Sequence, residues 1–301
     1  RTNPPNGCPM RAALGADRPL IWLASYPKSG NTWLRAMLSA LLNEQETVDL
    51  RALEGGMEPF DREVLDDFAA ISSSELSPME LLPYQAMLMR ALASEALPPC
   101  FVKTHAANIR GHANDPLFPP DVTAGAIYII RNPLDVAVSY AHHANKDFDW
   151  VIDFMADDGG GLDNWDDRSS QNVPQLMQSW SANVLSWTDC DDFPVAILRY
   201  EDMLEDTRSC LEAVAEFCRI ESTPTALDAA IEACRFEALQ ARESETGFPE
   251  KPSADRPFFR AGRTGDGLRL LSANQIARVV KDHAGVMQTV GYDISLTQDV
   301  T

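Results

Sequence analysis

A chain of 301 residues, 45% hydrophobic, is long enough to bury roughly three quarters of its unfolded surface without disulfide staples. Its formal charge of −20 excludes a general nucleic-acid or anionic-membrane binder, and no apolar stretch approaches the roughly 20 residues of a spanning helix. The six cysteines lie without C-x-x-C pairs or histidines at zinc spacing, so they read as buried thiols of a cytoplasmic protein rather than a disulfide or metal framework.

Residues 1–18 are rich in Pro, Gly and Asn and lack the apolar core of a secretory signal, so a flexible tail is expected ahead of one domain over 19–301. Leu20-Ile21-Trp22-Leu23-Ala24 reads as a buried parallel strand (about 20–26). Trp33, Leu34, Met37, Leu38, Leu41 and Leu42 then follow at helical spacing (about 31–43). An irregular and helical stretch runs to about 98, followed by strand Cys100–Lys103, a loop, and strand Ala126–Ile130. A helix opens at Pro133, where a missing N–H costs nothing. Beyond it come an acidic, glycine-rich loop, a helix at 175–187, and strand Val195–Tyr200. Helices are expected near 207–219 and 225–241, a loop over 243–268, and a closing helix over 272–290. Short apolar strands separated by helices predict an α/β single domain: a central parallel sheet flanked by helices.

In such a sheet the C-terminal strand ends share one edge, where ligands bind. Each of the four strands brings a basic residue there: Lys28, Lys103, Arg131 and Arg199. The turn Tyr26-Pro27-Lys28-Ser29-Gly30-Asn31-Thr32-Trp33 joins strand to helix, and unpaired N–H groups at a helix start favour an anion, most often phosphate. Ser29, Gly30, Asn31 and Thr32 supply backbone and hydroxyls, and Lys28 a cation. A triphosphatase loop places its lysine after the last glycine; here Lys28 precedes Gly30. Ser29 and Asn31 would also serve as plain helix caps, and Trp33 suits either an adenine face or the core.

That octapeptide resembles the 5′-phosphosulfate loop of sulfotransferases that use 3′-phosphoadenosine 5′-phosphosulfate (PAPS), and three further segments follow in family order. Arg131-Asn132-Pro133-Leu134-Asp135 with Ser139 is similar to the family's R-[ND]-P-x-D-x-x-x-S, which implies that Arg131 and Ser139 bind the 3′-phosphate. Lys103-Thr104-His105 corresponds to the tripeptide carrying the general base, here His105; a neutral imidazole can take a hydroxyl proton near neutral pH. Arg260-Ala261-Gly262, ahead of Gly265-Asp266-Gly267, resembles the family's R-[KA]-G-x-x-G-D-W. Ala261 stands where lysine is common, and Gly267 where tryptophan is usual, which implies a more mobile lid. Tyr200 and Phe236 match adenine-contacting positions; either could equally be core.

The resemblance implies a P-loop-like nucleotide site and in-line sulfuryl transfer from PAPS to a hydroxyl. His105 is the base, Lys103 supports the sulfuryl oxygens, Lys28 stands at the leaving oxygens, and adenosine 3′,5′-bisphosphate (PAP) is the product. No metal is expected, and Asp157–Asp167 lacks the order of a calcium loop. The rivals are a P-loop kinase, which would need a G-K-[ST] loop and a magnesium-binding acid, and a non-catalytic nucleotide-binding module. The acceptor walls are expected in 56–98, 142–175 and 243–258, with Met57, Phe60, Met87, Met89, Phe148, Trp150, Trp165 and Phe248. His142 and His143 face either the acceptor or solvent. Apolar walls among many acids suit a small-molecule alcohol or phenol and repel a sulfated polysaccharide; no nucleic-acid or membrane partner is expected, and the sequence leaves the oligomeric state open.

Overall fold

The computed structural model describes residues 14–15, 18–43, 46–56, 60–162, 170–251 and 256–294. Four parallel strands form the central sheet: β1 (Leu20–Ser25), β2 (Cys100–Thr104), β3 (Thr123–Ile130) and, last in the chain, β6 (Val195–Arg199), in the order β2-β1-β3-β6. The chain steps outward from β1 to β2, then crosses back to β3 and on to β6. The topological switch therefore lies between β1 and β3, where ligands of open α/β sheets bind.

β1 is buried along its whole length because both its faces are covered. Leu20, Trp22 and Ala24 join one core; Ile21 and Leu23 join the other. The second core also takes Leu34, Met37 and Leu38 of α1 (Asn31–Leu42), Leu211 and Val214 of α8 (Thr207–Phe217), and Leu227 and Ala230 of α9 (Pro224–Ala233). The first is covered by α3 (Pro78–Glu95), α4 (Pro133–Ala144), α5 (Phe148–Ala156), α6 (Trp180–Thr188) and α12 (Ala273–Thr289). Its buried aromatic rings keep their polar atoms paired where the fold supplies a partner: Trp22 Nε1 donates to Thr123 Oγ1 at 3.0 Å, and Tyr128 Oη to Asn183 Oδ1 at 2.6 Å.

The structure differs from the sequence reading where local chemistry breaks a run. The 43–98 stretch contains α2 (Arg62–Ala69) and α3. The acidic loop begins with α5, capped by Asp147, whose carboxylate accepts Trp150 N–H at 2.7 Å. The helix expected over 175–187 starts only at Trp180, capped by Ser179. Gln175–Leu176 is instead strand β5, paired antiparallel with β4 (Gly161–Leu162). The run 225–241 is two helices, α9 and α10 (Phe236–Thr246), with Arg235 extended between them. α10, with α11 (Asp266–Leu270), also occupies both ends of the expected 243–268 loop. β6 stops at Arg199, and Tyr200 opens α7 (Tyr200–Glu205).

Leu14 and Gly15, expected in a loose tail, are docked: Leu14 is buried, and Gly15 N–H donates to Ala124 O at 2.9 Å. The rest of the tail call over 1–13 and at 16–17, together with Met57, Trp165 and the acidic residues 163–167, lies outside the described residues. No helix among the described residues is long and apolar enough to cross a membrane.

Candidate active site

The turn after β1 is built from two left-handed residues, Lys28 at φ 67° and Gly30 at φ 105°. At Gly30 a side chain is excluded: a Cβ would lie 2.6 Å from the Tyr200 ring. α1 begins at this glycine with no side-chain cap and no acid in its first turn. The two candidate caps are used otherwise. Ser29 Oγ is fully buried with no hydrogen-bond partner. Asn31 turns its amide back onto β1, donating to Leu23 O at 2.8 Å and Ser25 Oγ at 3.2 Å, while its Oδ1 has no partner. With no side-chain cap on its first N–H groups, this helix start suits an acceptor-rich anion, whereas Asn31 Oδ1 is itself an acceptor.

A cavity of about 360 Å³ opens over it. Gly30, Asn31, Thr32 and Trp33 line it from the loop; Arg131, Ser139, Arg260, Ala261 and Gly262 line it from the far side, with His105 also on its wall. Arg131 donates to Lys28 O at 3.0 Å and to Arg263 O at 2.9 Å, lies 4.3 Å from the Tyr200 ring centroid, and keeps its buried Nε unpartnered. Arg260 pairs with buried Asp266 at 2.8 Å. Gly262, at φ 56°, leaves room for the Phe236 ring, which a Cβ would approach to 2.4 Å. Trp33 stands on the cavity wall rather than in the core, its Nε1 held by Cys234 O at 3.0 Å. Tyr200 and Phe236 line the same apolar end.

His105 is held on several sides. Its Nδ1 lies 2.8 Å from Ser25 O; a carbonyl can only accept, so Nδ1 carries the proton and Nε2 the free lone pair. Its carbonyl accepts from Asn183 Nδ2 at 3.1 Å, and its N–H donates to Gln175 Oε1 at 3.2 Å. Burial, then the Lys103 charge, lowers its pKa to about 3, so the imidazole is neutral across the physiological range. Lys28 Nζ lies 3.4 Å from His143 Nδ1 and 3.8 Å from the Phe258 centroid. Burial, then the Arg131 charge, lowers the Lys28 pKa to about 7.

Two expected basic residues are placed differently. Lys103 is not on the cavity wall: its Nζ donates to Glu250 Oε2 at 2.8 Å, and Glu250 Oε1 accepts from Arg35 at 2.5 Å. Arg199 lies away from the cavity, 4.6 Å from the Tyr292 ring centroid. Ser29 sits beneath the loop rather than on the wall. Gly267 is buried in α11, and a Cβ there would come within 2.5 Å of the Leu134 backbone. Of the expected acceptor-wall residues, Phe60 and Met89 are core, Met87 is exposed, and Trp150 stacks on Phe154. Phe248 packs against Phe258, 4.7 Å between centroids, beside Lys28. No group of three or more His, Cys, Asp or Glu among the described residues could hold a metal.

Sequence reasoning gave no role to Ser25, Asn183, Gln175, Glu243, Glu250 or Asp135. Asp135 stood inside a quoted motif, and its two oxygens accept the N–H groups of Gly265 (2.8 Å) and Gly267 (2.7 Å), fastening α11 to α4. The others converge only through the fold.

The sequence model of the sulfotransferase domain matches residues 18–290. The chain belongs to the sulfotransferase domain family. Among sulfotransferases of known activity, the luciferin sulfotransferase of Photinus pyralis is 27% identical over 207 residues, 65% of this chain and 50% of that protein. Cytosolic sulfotransferase 15 of Arabidopsis thaliana is 26% identical over 276 residues, 86% of this chain and 69% of that protein. This chain thus spans about half the length of the firefly protein and more of the plant one. The fold is shared with a mouse sulfotransferase complexed with PAP (TM-score 0.57, 19% identity, 96% of this chain and 91% of that one). It is shared too with a retinol dehydratase complexed with retinol and PAP (TM-score 0.58, 21% identity, 92% and 83%).

Proposed function

We propose that this sulfotransferase-family chain moves the sulfuryl group of PAPS to the hydroxyl of a small-molecule alcohol or phenol. The observation that carries the reading is one cavity whose wall holds an uncapped helix start, three arginines (Arg131, Arg235 and Arg260) and a histidine whose Nε2 carries the lone pair. The uncapped N–H groups at the start of α1 and the unpartnered Arg131 Nε fit a ligand with anionic groups at two places. Gly30 to Thr32 with Lys28 suit the 5′-phosphosulfate; Arg131, Ser139, Arg260 and the backbone of Ala261 and Gly262 suit the 3′-phosphate; Trp33, Tyr200 and Phe236 suit the adenine. That PAP is bound in two structures of the same fold agrees with this assignment.

In the transfer, the acceptor hydroxyl gives its proton to His105 Nε2 and its oxygen electron pair to sulfur. The bond from sulfur to the bridging phosphate oxygen breaks, and that oxygen keeps the pair, beside the Lys28 ammonium. The products are a sulfate ester, PAP and an imidazolium that returns its proton to solvent. A pKa of about 3 makes His105 a weak base in the free site, and an anionic co-substrate beside it raises that basicity.

The test is product formation from PAPS with alcohol, phenol and oligosaccharide panels, using wild type and His105→Ala. Sulfated alcohol or phenol with wild type, and a loss of about 10²–10⁴-fold in kcat with the variant, is expected. Transfer to acidic polysaccharide alone, or an unimpaired variant, would contradict the reading.

A further inference from the structure

Glu250 occupies an unusual place for a carboxylate in a site built for anions. It lies in the chain between α10 and α11, the same stretch that carries Phe258 over Lys28 and then Arg260, Ala261 and Gly262 on the cavity wall. One oxygen accepts from Arg35 on α1, one turn beyond Asn31 of the anion loop. The other accepts from Lys103, two residues before His105. Arg35 is itself buried, and its Nε also donates to Glu54 O at 2.6 Å. Burial opposes the charge on Glu250, but Lys103 and Arg35 outweigh it and hold the carboxyl at about 2. A second carboxylate, buried Glu243 of α10, accepts the N–H groups of Phe258 at 2.6 Å and Phe259 at 3.0 Å. Glu243 thus fastens this stretch to α10, and Glu250 fastens it to β2 and α1.

We propose that Glu250 is a positioning residue for the transfer step, acting through Lys103: it holds that ammonium at the edge of the reaction centre and ties the covering stretch to α1. The inference rests on the sulfuryl-transfer reading. Its physical basis is charge balance. Lys28 from the β1 turn, Arg35 from α1, Lys103 from β2, Arg131 from β3 and Arg260 from the covering stretch crowd one site, with His142 and His143 of α4 beside them. The anions that act on Lys28 are Glu250 and Glu243. Without the Glu250 charge, Lys103 and Arg35 repel each other and lose the carboxylate they share, and Lys28 gives up its proton at lower pH.

Glu250→Gln tests this in steady-state assays with PAPS, beside PAP binding and thermal melting. The expected result is a kcat loss of about tenfold or more with PAP affinity changed by less than about threefold, and an alkaline limb of kcat/KM for PAPS displaced to lower pH. The double variant Glu250→Gln/Lys103→Met is then no slower than Lys103→Met alone, because the two act as one unit. Glu250→Asp, which keeps the charge, retains the wild-type limb and supplies the comparison if the glutamine variant does not fold. Losses that multiply in the double variant, or an unshifted limb with PAP binding and kcat lost together, overturn the inference. A working wild type beside an unimpaired Glu250→Gln overturns it alone; a wild type that makes no sulfate ester overturns the function as well.

Discussion

Lys28 is a cation that the fold barely keeps charged at neutral pH. Burial and Arg131 bring its pKa to about 7, so in the free protein the ammonium is full below that pH and is lost as pH rises through it. An anionic ligand binds the charged form better, and PAP affinity is therefore expected to fall between about pH 7 and 9. Lys28→Met should bind PAP more weakly and without that slope, by calorimetric titration across the range; an unchanged slope in the variant would assign it to another group. The sequence made Lys28, Arg131 and His105 visible because each belongs to a local motif beside a strand end, and Arg260 because it opens a local glycine-containing motif before α11. Nothing local marks Glu250, which meets Lys103 and Arg35 across 147 and 215 positions of chain. Ser25 is equally silent: it fixes the His105 tautomer with a backbone carbonyl, which every residue possesses.

Among the elements, α4 and α11 form the joint that sets the stretch carrying Arg260, Ala261 and Gly262. Asp135 of α4 accepts both Gly265 and Gly267 N–H groups, and Gly267 rests on the Leu134 backbone. Gly267→Ala must push α11 off α4, since the obstruction is backbone and cannot rotate away. The expected cost is about 1–3 kcal/mol in urea unfolding, with weaker PAP binding because Arg260 and Asp266 shift with α11; wild-type values of both would show that the joint yields. The strands were legible because both faces of a parallel sheet are covered, which leaves a continuous apolar run. Helix boundaries were less so. Periodicity alone could not show that Gln175–Leu176 pairs with Gly161–Leu162, or that Arg235 is extended between α9 and α10.

For the whole molecule, the net charge of −20 frames the cluster of Lys28, Lys103, Arg131 and Arg260 at one end of the sheet. Against a net negative charge, a cluster of cations at one end of the sheet favours a small anion there. The α/β class, and the gathering of Lys28, Arg131 and Arg260 on one cavity, could be read from motif order along the chain. The acceptor end could not, because its walls come from segments whose side chains are placed by packing: Phe60 and Met89 went to the core, and Phe248 to Phe258. We propose that the cavity at the ends of β1 and β3 takes a nucleotide with 3′- and 5′-phosphates, without a metal, to serve sulfuryl transfer. Calorimetric titration with PAP in EDTA, followed by ATP with magnesium, tests it most directly. The account predicts saturable PAP binding in EDTA that magnesium-ATP does not match; tight magnesium-ATP binding with no affinity for PAP would contradict it.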